Sequence, residues 1–242
     1  MRMILPAVPT RPLLAALGVL LSAGFASAVV THQYRLDGSY AADLGGPDLT
    51  PEGGVLSATG YAFGPNEGLA LAGAIADPTN YSIEMKFRLD EVAGYRKLID
   101  FKDRADDTGL YTLNGSFGVY DLPFGPPGSF AVGVDARMVL TRDGITEEVI
   151  GYVNGDPMFQ FIDSGDLAVF TTAGALARFL QDDFAVQGEA SAGVVDYIRL
   201  YDTPLSPTEV RDLADPTIPE PTGAVLATLA AAIAMRRRRS VC

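Results

Sequence analysis

Two adjacent aspartates, Asp182 and Asp183, are the clearest residues in this sequence whose type and spacing could bind a metal ion. They follow the strand-like segment 175–180 and precede a loop rich in Gly and Ala. Calcium takes carboxylate and carbonyl oxygens, and extracellular sites can bind it weakly. The sequence therefore predicts Ca²⁺ at Asp182 and Asp183. The alternative interpretation is a solvated turn of an acidic protein.

A second acidic loop contains Asp103, Asp106 and Asp107. Ala105 and Thr108 interrupt the ligand spacing of an EF-hand, and the glycine that such a loop needs is missing. We interpret this loop as a solvated turn, with metal binding as the alternative.

Histidine and cysteine occur once each in the sequence, as His32 and Cys242. These two residues cannot assemble a structural zinc site, and a single cysteine cannot close a disulfide within the chain. A Ser-His-Asp triad would depend on His32, and the sequence has no G-x-S-x-G elbow.

The composition is acidic and rich in turn residues. The 242 residues include 18 Lys and Arg against 30 Asp and Glu, with a sequence pI near 4.4. Phosphate binding needs clustered basic residues, so this balance excludes a nucleic-acid partner. The 26 Gly and 16 Pro favour many short strands joined by turns.

The first 28 residues have the pattern of a signal peptide. Arg2 and Arg11 precede an apolar run, and Ala26-Ser27-Ala28 forms a small-residue cleavage site. We expect signal peptidase to cut after Ala28, because the apolar run is much shorter than the roughly 20 residues of a spanning helix.

The segment 218–242 has three parts in order. Pro219-Glu220-Pro221 is followed by an uncharged, Ala-rich tract over 222–235 and then by four arginines, Arg236, Arg237, Arg238 and Arg239. A helix over that tract would be about 21 Å long, so it can span a membrane where the arginines snorkel and the bilayer thins. The arginines favour the cytoplasmic side.

This C-terminal arrangement resembles the PEP-CTERM sorting signal of Gram-negative bacteria. The resemblance implies that an exosortase-type membrane protease cuts near the Pro-Glu-Pro motif after transient anchoring in the inner membrane. It also implies transfer to the cell surface or to an extracellular polymer. Without both ends, residues 29–217 carry 12 Lys and Arg against 29 Asp and Glu, a formal charge of −17.

Residues 29–217 are predicted to form an all-β antiparallel sandwich or jelly roll, with a short surface helix at the end. The clearest strand is 82–90, where apolar residues alternate with charged ones and predict one wet face. Other strands are predicted at 33–36, 96–101, 110–113, 117–120, 136–141, 149–153, 158–162, 175–180 and 194–201.

Turn and cap residues separate these strands. Asn114-Gly115 and Asn154-Gly155 predict hairpins, and the proline-rich segment 123–128 predicts a loop. Ser206, Pro207 and Glu209 predict a capped helix after the last strand.

The order of these segments resembles the laminin G-like branch of the concanavalin A-like lectin and glucanase superfamily. The matching blocks are YSIE at 81–84, VLTRD at 139–143, GYVNG at 151–155 and VDYIRLYD at 195–202, followed by LSPTEV at 205–210. The resemblance implies a concanavalin A-like sandwich over most of residues 80–214.

Some members of that superfamily are laminarinase-type glycosidases, which carry two catalytic carboxylates in a Glu-x-Asp-x-x-Glu strand. Here Glu84 is followed two positions later by Lys86, and Glu147 and Glu148 are adjacent, so this motif is absent. We therefore predict that the chain is not an enzyme. Tyr61, Phe63, Tyr95 and Tyr120 are candidate sugar-stacking residues, but strand aromatics more often lie in the core.

The sequence as a whole predicts an exported, non-catalytic laminin G-like module at the cell surface or in the extracellular matrix of a Gram-negative bacterium. It would bind an extracellular glycan or another matrix component. The alternatives are a structural protein of the extracellular polymer that has no specific ligand and, less favoured by the residues, a glycoside hydrolase.

Overall fold

A computed structural model describes residues 28–171 and 174–213. Ala26, the Pro219-Glu220-Pro221 motif and Arg236 to Arg239 lie outside the described residues. No helix within the two described ranges is long and apolar enough to cross a membrane.

The described residues contain fourteen strands and one helix. In chain order these are β1 Val30–Tyr34, β2 Thr50–Glu52, β3 Val55–Ser57, β4 Gly60–Phe63, β5 Gly68–Leu71, β6 Tyr81–Leu89, β7 Tyr95–Asp100, β8 Gly109–Leu113, β9 Ser116–Tyr120, β10 Ala136–Arg142, β11 Glu148–Val153, β12 Asp156–Ile162, β13 Ala177–Phe179, β14 Gly193–Tyr201 and α1 Pro207–Asp212.

The strands form two antiparallel sheets. The eight-stranded sheet has the order β12-β11-β10-β6-β14-β4-β3, with β1 also paired to β14. The six-stranded sheet has the order β2-β5-β13-β7-β8-β9. The prediction of an all-β antiparallel sandwich is confirmed, since the single described helix has only six residues.

One apolar core joins the two sheets. It takes Ile83, Met85 and Phe87 from β6, and Leu110 and Phe117 from the six-stranded sheet, all essentially inaccessible to solvent. Alternate residues of each strand point to opposite faces, so a slip of one residue would turn the apolar side chains away from the core. Burial of one face of β6 therefore fixes its register with the neighbouring strands.

The local signals for turns and for the helix are confirmed. Asn114-Gly115 joins β8 to β9, and Asn154-Gly155 joins β11 to β12, with positive φ at each residue. Both hairpin turns need that backbone conformation, which Asn and Gly tolerate. Ser206 and Glu209 form the predicted capping box of α1.

The predicted wet face of β6 is wrong at Glu84, which is fully buried. Strand β6 lies between β10 and β14, and residues of β14 cover this face. The hydroxyls of Tyr197 and Tyr201 each donate a hydrogen bond to the Glu84 carboxylate, at 2.8 and 2.7 Å. A buried carboxylate is tolerated here because neighbouring donors satisfy it.

Candidate functional site

The outer face of the six-stranded sheet points away from the core. Its strands carry a group of polar and aromatic side chains on this face. On β9, Phe117 and Val119 belong to the core, so Gly118 and Tyr120 point outward. Tyr111 of β8 pairs with Gly118 and therefore shares the outer face.

Four rings on this face form what we call the aromatic patch: Tyr95, Tyr111, Tyr120 and Phe124. The Tyr95 ring is central, with edge contacts to the other three at centroid distances of 5.7 to 5.9 Å. Tyr111 is buried, whereas the other three rings are half-buried and reach solvent. Edge-to-face packing of this kind fixes ring orientation.

A glycine makes room for the fourth ring. A Cβ on Gly118 would lie 2.9 Å from the Phe124 ring, so no larger residue fits beneath it. The loop that carries Phe124 folds back along β9, where the Gly125 N–H donates to the Phe117 carbonyl at 2.8 Å. The predicted proline-rich loop therefore places an aromatic ring on the outer face.

The four candidate stacking residues of the sequence divide into two pairs. Tyr95 and Tyr120 lie together in the aromatic patch. Tyr61 and Phe63 are in β4 and are buried in the core. Because their rings are inaccessible, they cannot stack on a sugar.

The carboxylate of Asp182, one of the two predicted calcium ligands, holds the backbone of the loop that follows it. One oxygen accepts the N–H groups of Gly188 and Glu189, both at 2.7 Å, and the other accepts the N–H of Asp183. The side chain is fully buried. These bonds occupy three of the roughly four acceptor positions of the carboxylate, so few are left for a metal ion.

Asp183, the second predicted ligand, is paired with a buried lysine. The Lys97 ammonium donates to the Asp183 carboxylate at 2.6 Å and to Asp100 at 3.0 Å. The other Asp183 oxygen accepts the N–H groups of Ala185 and Val186. A calcium ion at Asp183 would therefore have to compete with Lys97 for the same carboxylate.

The outer face also brings three carboxylates together beside the aromatic patch. One oxygen from each of Asp107, Asp183 and Glu189 lies within 4.8 Å of the others. The Tyr111 hydroxyl lies 3.0 Å from the Asp107 carboxylate and 3.1 Å from that of Asp183. We call Asp107, Asp183 and Glu189 the carboxylate trio.

The pKa values of the three carboxylates in the trio are shifted in different directions. Burial would raise the pKa of Asp183, but hydrogen bonds from Lys97 and the loop N–H groups outweigh it and hold that pKa below its ordinary value. Burial raises the pKa of Asp107. Burial, followed by the negative charges of Asp107, Asp182 and Asp183, raises the pKa of Glu189 to about 7.

Glu189→Gln should change the pH dependence of stability. Because the folded-state pKa of Glu189 is raised, its stabilising contribution is complete at low pH and is lost as pH rises through about 7. Glutamine cannot ionise. We expect the variant to gain about 1–2 kcal/mol of unfolding free energy at pH 8 and almost none at pH 5. The gain at pH 8 is lowered to allow for screening of the charge by solvent.

Urea unfolding at pH 5 and pH 8 measures this difference. Glu147→Gln, at an exposed position, is the matched control. An equal effect of Glu189→Gln at both pH values would contradict the raised pKa.

The three aspartates of the second acidic loop make different contacts. Asp103 forms an ion pair with Arg178, and Asp106 accepts the N–H of Thr108 at 2.9 Å. Of the three aspartates of this loop, only Asp107 belongs to the carboxylate trio.

Sequence reasoning missed Lys97, Tyr111, Phe124 and Glu189 as residues of this face. Tyr111 and Lys97 lie within predicted strands, but neither alternates regularly with apolar residues, so the sequence does not assign them to a face. Glu189 carries no signal, because its place beside Asp107 depends on how the loop that follows Asp182 folds.

No protein-family model and no curated protein matches the chain. Among solved structures it is similar to domain 4 of AbnA, a GH43 extracellular arabinanase from Geobacillus stearothermophilus, in complex with arabinotriose. The TM-score is 0.61 at 18% identity, over 78% of this chain and 100% of that domain.

It is also similar to part of Trypanosoma rangeli sialidase in complex with sialic acid. There the TM-score is 0.52 at 16% identity, over 76% of this chain and 32% of the sialidase. The chain thus spans about a third of that protein.

The prediction that the chain is not an enzyme is contradicted, because its structural neighbours include an arabinanase and a sialidase. That prediction tested for carboxylates at alternate positions of one strand and for a Ser-His-Asp triad. The structure instead brings Asp107 and Glu189 together from two separate loops. At these identities the comparisons show the fold alone: the chain is an antiparallel β-sandwich.

Proposed function

We propose that this domain binds a carbohydrate on the outer face of the six-stranded sheet, between the aromatic patch and the carboxylate trio. The observation that carries the proposal is that buried Tyr111 joins the half-buried rings of Tyr95 and Tyr120 to the carboxylates on the same face. A sugar ring presents apolar C–H faces, which pack on aromatic rings, and hydroxyls, which donate to carboxylates. Ligand sites commonly combine these two kinds of group.

The structural neighbours support this proposal. Domain 4 of the arabinanase was solved with arabinotriose and the sialidase with sialic acid. The acidic charge of residues 29–217 favours neutral or cationic sugars over anionic ones, because like charges repel. Arabinotriose is therefore a better first probe than sialic acid.

Titration calorimetry with arabinotriose, chitotriose, laminaritriose and sialyllactose tests the proposal, with and without calcium. We expect saturable binding of at least one neutral oligosaccharide. Tyr120→Ala should weaken that binding roughly 3- to 10-fold, because stacking on one ring is worth about 0.5–1.5 kcal/mol.

Tyr40→Ala is the matched control, since Tyr40 is a half-buried tyrosine that packs against Tyr61 and not in the aromatic patch. It should leave affinity unchanged. No binding to any probe would overturn the proposal and favour a structural role in an extracellular polymer. Equal losses in both variants would place binding elsewhere.

Hydrolysis of a glycosidic bond is a second candidate function, favoured by the two half-buried carboxyls of Asp107 and Glu189. A carboxyl group with a pKa near 7 can hold a proton at neutral pH and donate it to a leaving oxygen. An assay of the reducing ends that are released from the same oligosaccharides tests this function. Loss of release in Glu189→Gln supports it, and no release by the wild type rejects it.

Export and sorting are part of the proposal. Cleavage after Ala28 would leave β1 intact, since that strand begins at Val30. Mass spectrometry of the protein from its native host should find termini at Val29 and near Pro219. Retention of Arg236 to Arg239 would contradict exosortase processing.

The finer assignment to the laminin G-like branch, and calcium at Asp182 and Asp183, stay predictions. Calorimetric titration with calcium tests the metal. Absence of heat, together with an unchanged Tm at millimolar calcium, would contradict it.

A further inference from the structure

Phe184 is a large aromatic residue left 65% exposed to solvent, immediately after the carboxylate of Asp183. It belongs to the loop that follows Asp182, which we call the Asp182 loop and define as residues 182–189. Isolated exposed apolar side chains are common and by themselves indicate nothing. Phe184 differs because the surrounding residues fix its position.

The first constraint is a cation–π contact. The Arg104 guanidinium carbon lies 4.1 Å from the centroid of the Phe184 ring. Arg104 Nε donates to the Asp182 carbonyl, and the Phe184 N–H donates to the Arg104 carbonyl at 3.1 Å. One ring face is therefore held against a planar cation, and the large exposed fraction leaves the other side open to solvent.

The second constraint is the backbone of the Asp182 loop. Asp182 accepts N–H groups of Gly188 and Glu189, and Asp183 accepts those of Ala185 and Val186. Both carboxylates are buried. The two adjacent aspartates thus hold both sides of a loop tip that displays Phe184, so little conformational freedom would be lost when a ligand packs on the ring.

The third observation is continuity with the proposed carbohydrate site. Asp183 contacts the Tyr111 hydroxyl, and the Tyr111 ring contacts Tyr95 and Tyr120 of the aromatic patch. The Cα of Phe184 is about 3.8 Å from that of Asp183 along the chain. Glu189 of the carboxylate trio ends the same loop.

We infer that Phe184 forms a second stacking subsite, which packs against a sugar unit of a glycan chain beyond the unit held at the aromatic patch. The inference rests on the proposed function and assigns an extended oligosaccharide as the ligand. Arg104 acts as a positioning residue, and the half-buried carboxyl groups of Asp107 and Glu189 accept hydroxyls of the intervening sugar.

A length series of oligosaccharides tests this subsite. Arabinotriose and arabinohexaose, with the chitin and laminarin trimers and hexamers in parallel, are titrated into the wild type, Phe184→Ala, Tyr120→Ala and Val186→Ala. Val186 is an exposed apolar residue of the same loop and serves as the matched control. Because Phe184 is largely exposed, loss of its contact with Arg104 should lower the Tm by no more than about 4 °C.

Phe184→Ala should weaken binding of the hexasaccharide about 3- to 10-fold and leave the trisaccharide within twofold. Tyr120→Ala should weaken both lengths, and Val186→Ala neither. Unchanged hexasaccharide binding in Phe184→Ala would overturn the subsite and leave the aromatic patch intact. No binding of any probe by the wild type would overturn both the subsite and the proposed function.

Discussion

Lys97→Met should lower the free energy of unfolding by about 3–5 kcal/mol. The Lys97 ammonium is inaccessible to solvent and is the cation that bonds both Asp100 and Asp183. Methionine keeps the length of the apolar stem but leaves two buried carboxylates without that partner. Because a lone buried charge is costly, the loss should greatly exceed that of an exposed ion pair.

Guanidinium chloride unfolding at pH 7 measures the effect, with Lys86→Met as the matched control. Lys86 pairs with Asp196 at 3.1 Å on the other sheet, where both side chains are partly exposed. Its replacement should cost no more than about 1 kcal/mol. Similar losses of unfolding free energy in the two variants would contradict the burial of the ion pairs that Lys97 forms with Asp100 and Asp183.

Gly193→Ala should destabilise the protein by about 3 kcal/mol through backbone crowding. Gly193 begins β14 and faces Leu89 of β6 and Phe63 of β4. An added Cβ would lie 2.1 Å from the Arg88 carbonyl oxygen. That oxygen cannot rotate away as a side chain could, so strands in the middle of the eight-stranded sheet must separate.

Gly165→Ala is the matched control for this prediction. A Cβ at Gly165 would meet no atom within 4 Å, and this residue lies in a turn at the surface. Thermal unfolding of both variants should show a clear fall in Tm for Gly193→Ala alone. An unchanged Tm for Gly193→Ala would contradict the pairing of β14 with β6.

The elements that could be predicted from the sequence are those with local signals. The hairpin residues Asn114-Gly115 and Asn154-Gly155 and the capping box at Ser206 carry their conformation in three or four residues. Strands β2 to β5 were missed because each has only three or four residues. Pro51 in β2 and the glycines that begin β4 and β5 are also typical of turns, so these segments do not read as strands on their own.

The candidate site was only partly predictable, because its residues meet through long-range contacts. Lys97 and Asp183 are 86 residues apart in sequence, and Tyr111 and Asp183 are 72 apart. The sequence singled out Asp182 and Asp183, but it could not reveal that the loop's own N–H groups bind their carboxylates. The burial of Glu84 escaped prediction for a similar reason, since residues of another strand cover it.

The most direct test of carbohydrate binding is a nuclear magnetic resonance titration of the wild type with the oligosaccharide that binds best in calorimetry. We predict that the side-chain signals that shift belong to Tyr95, Tyr120, Phe124 and Glu189, on the outer face of the six-stranded sheet. Shifts confined to the outer face of the eight-stranded sheet, around Tyr152 and Tyr201, would contradict the proposed site.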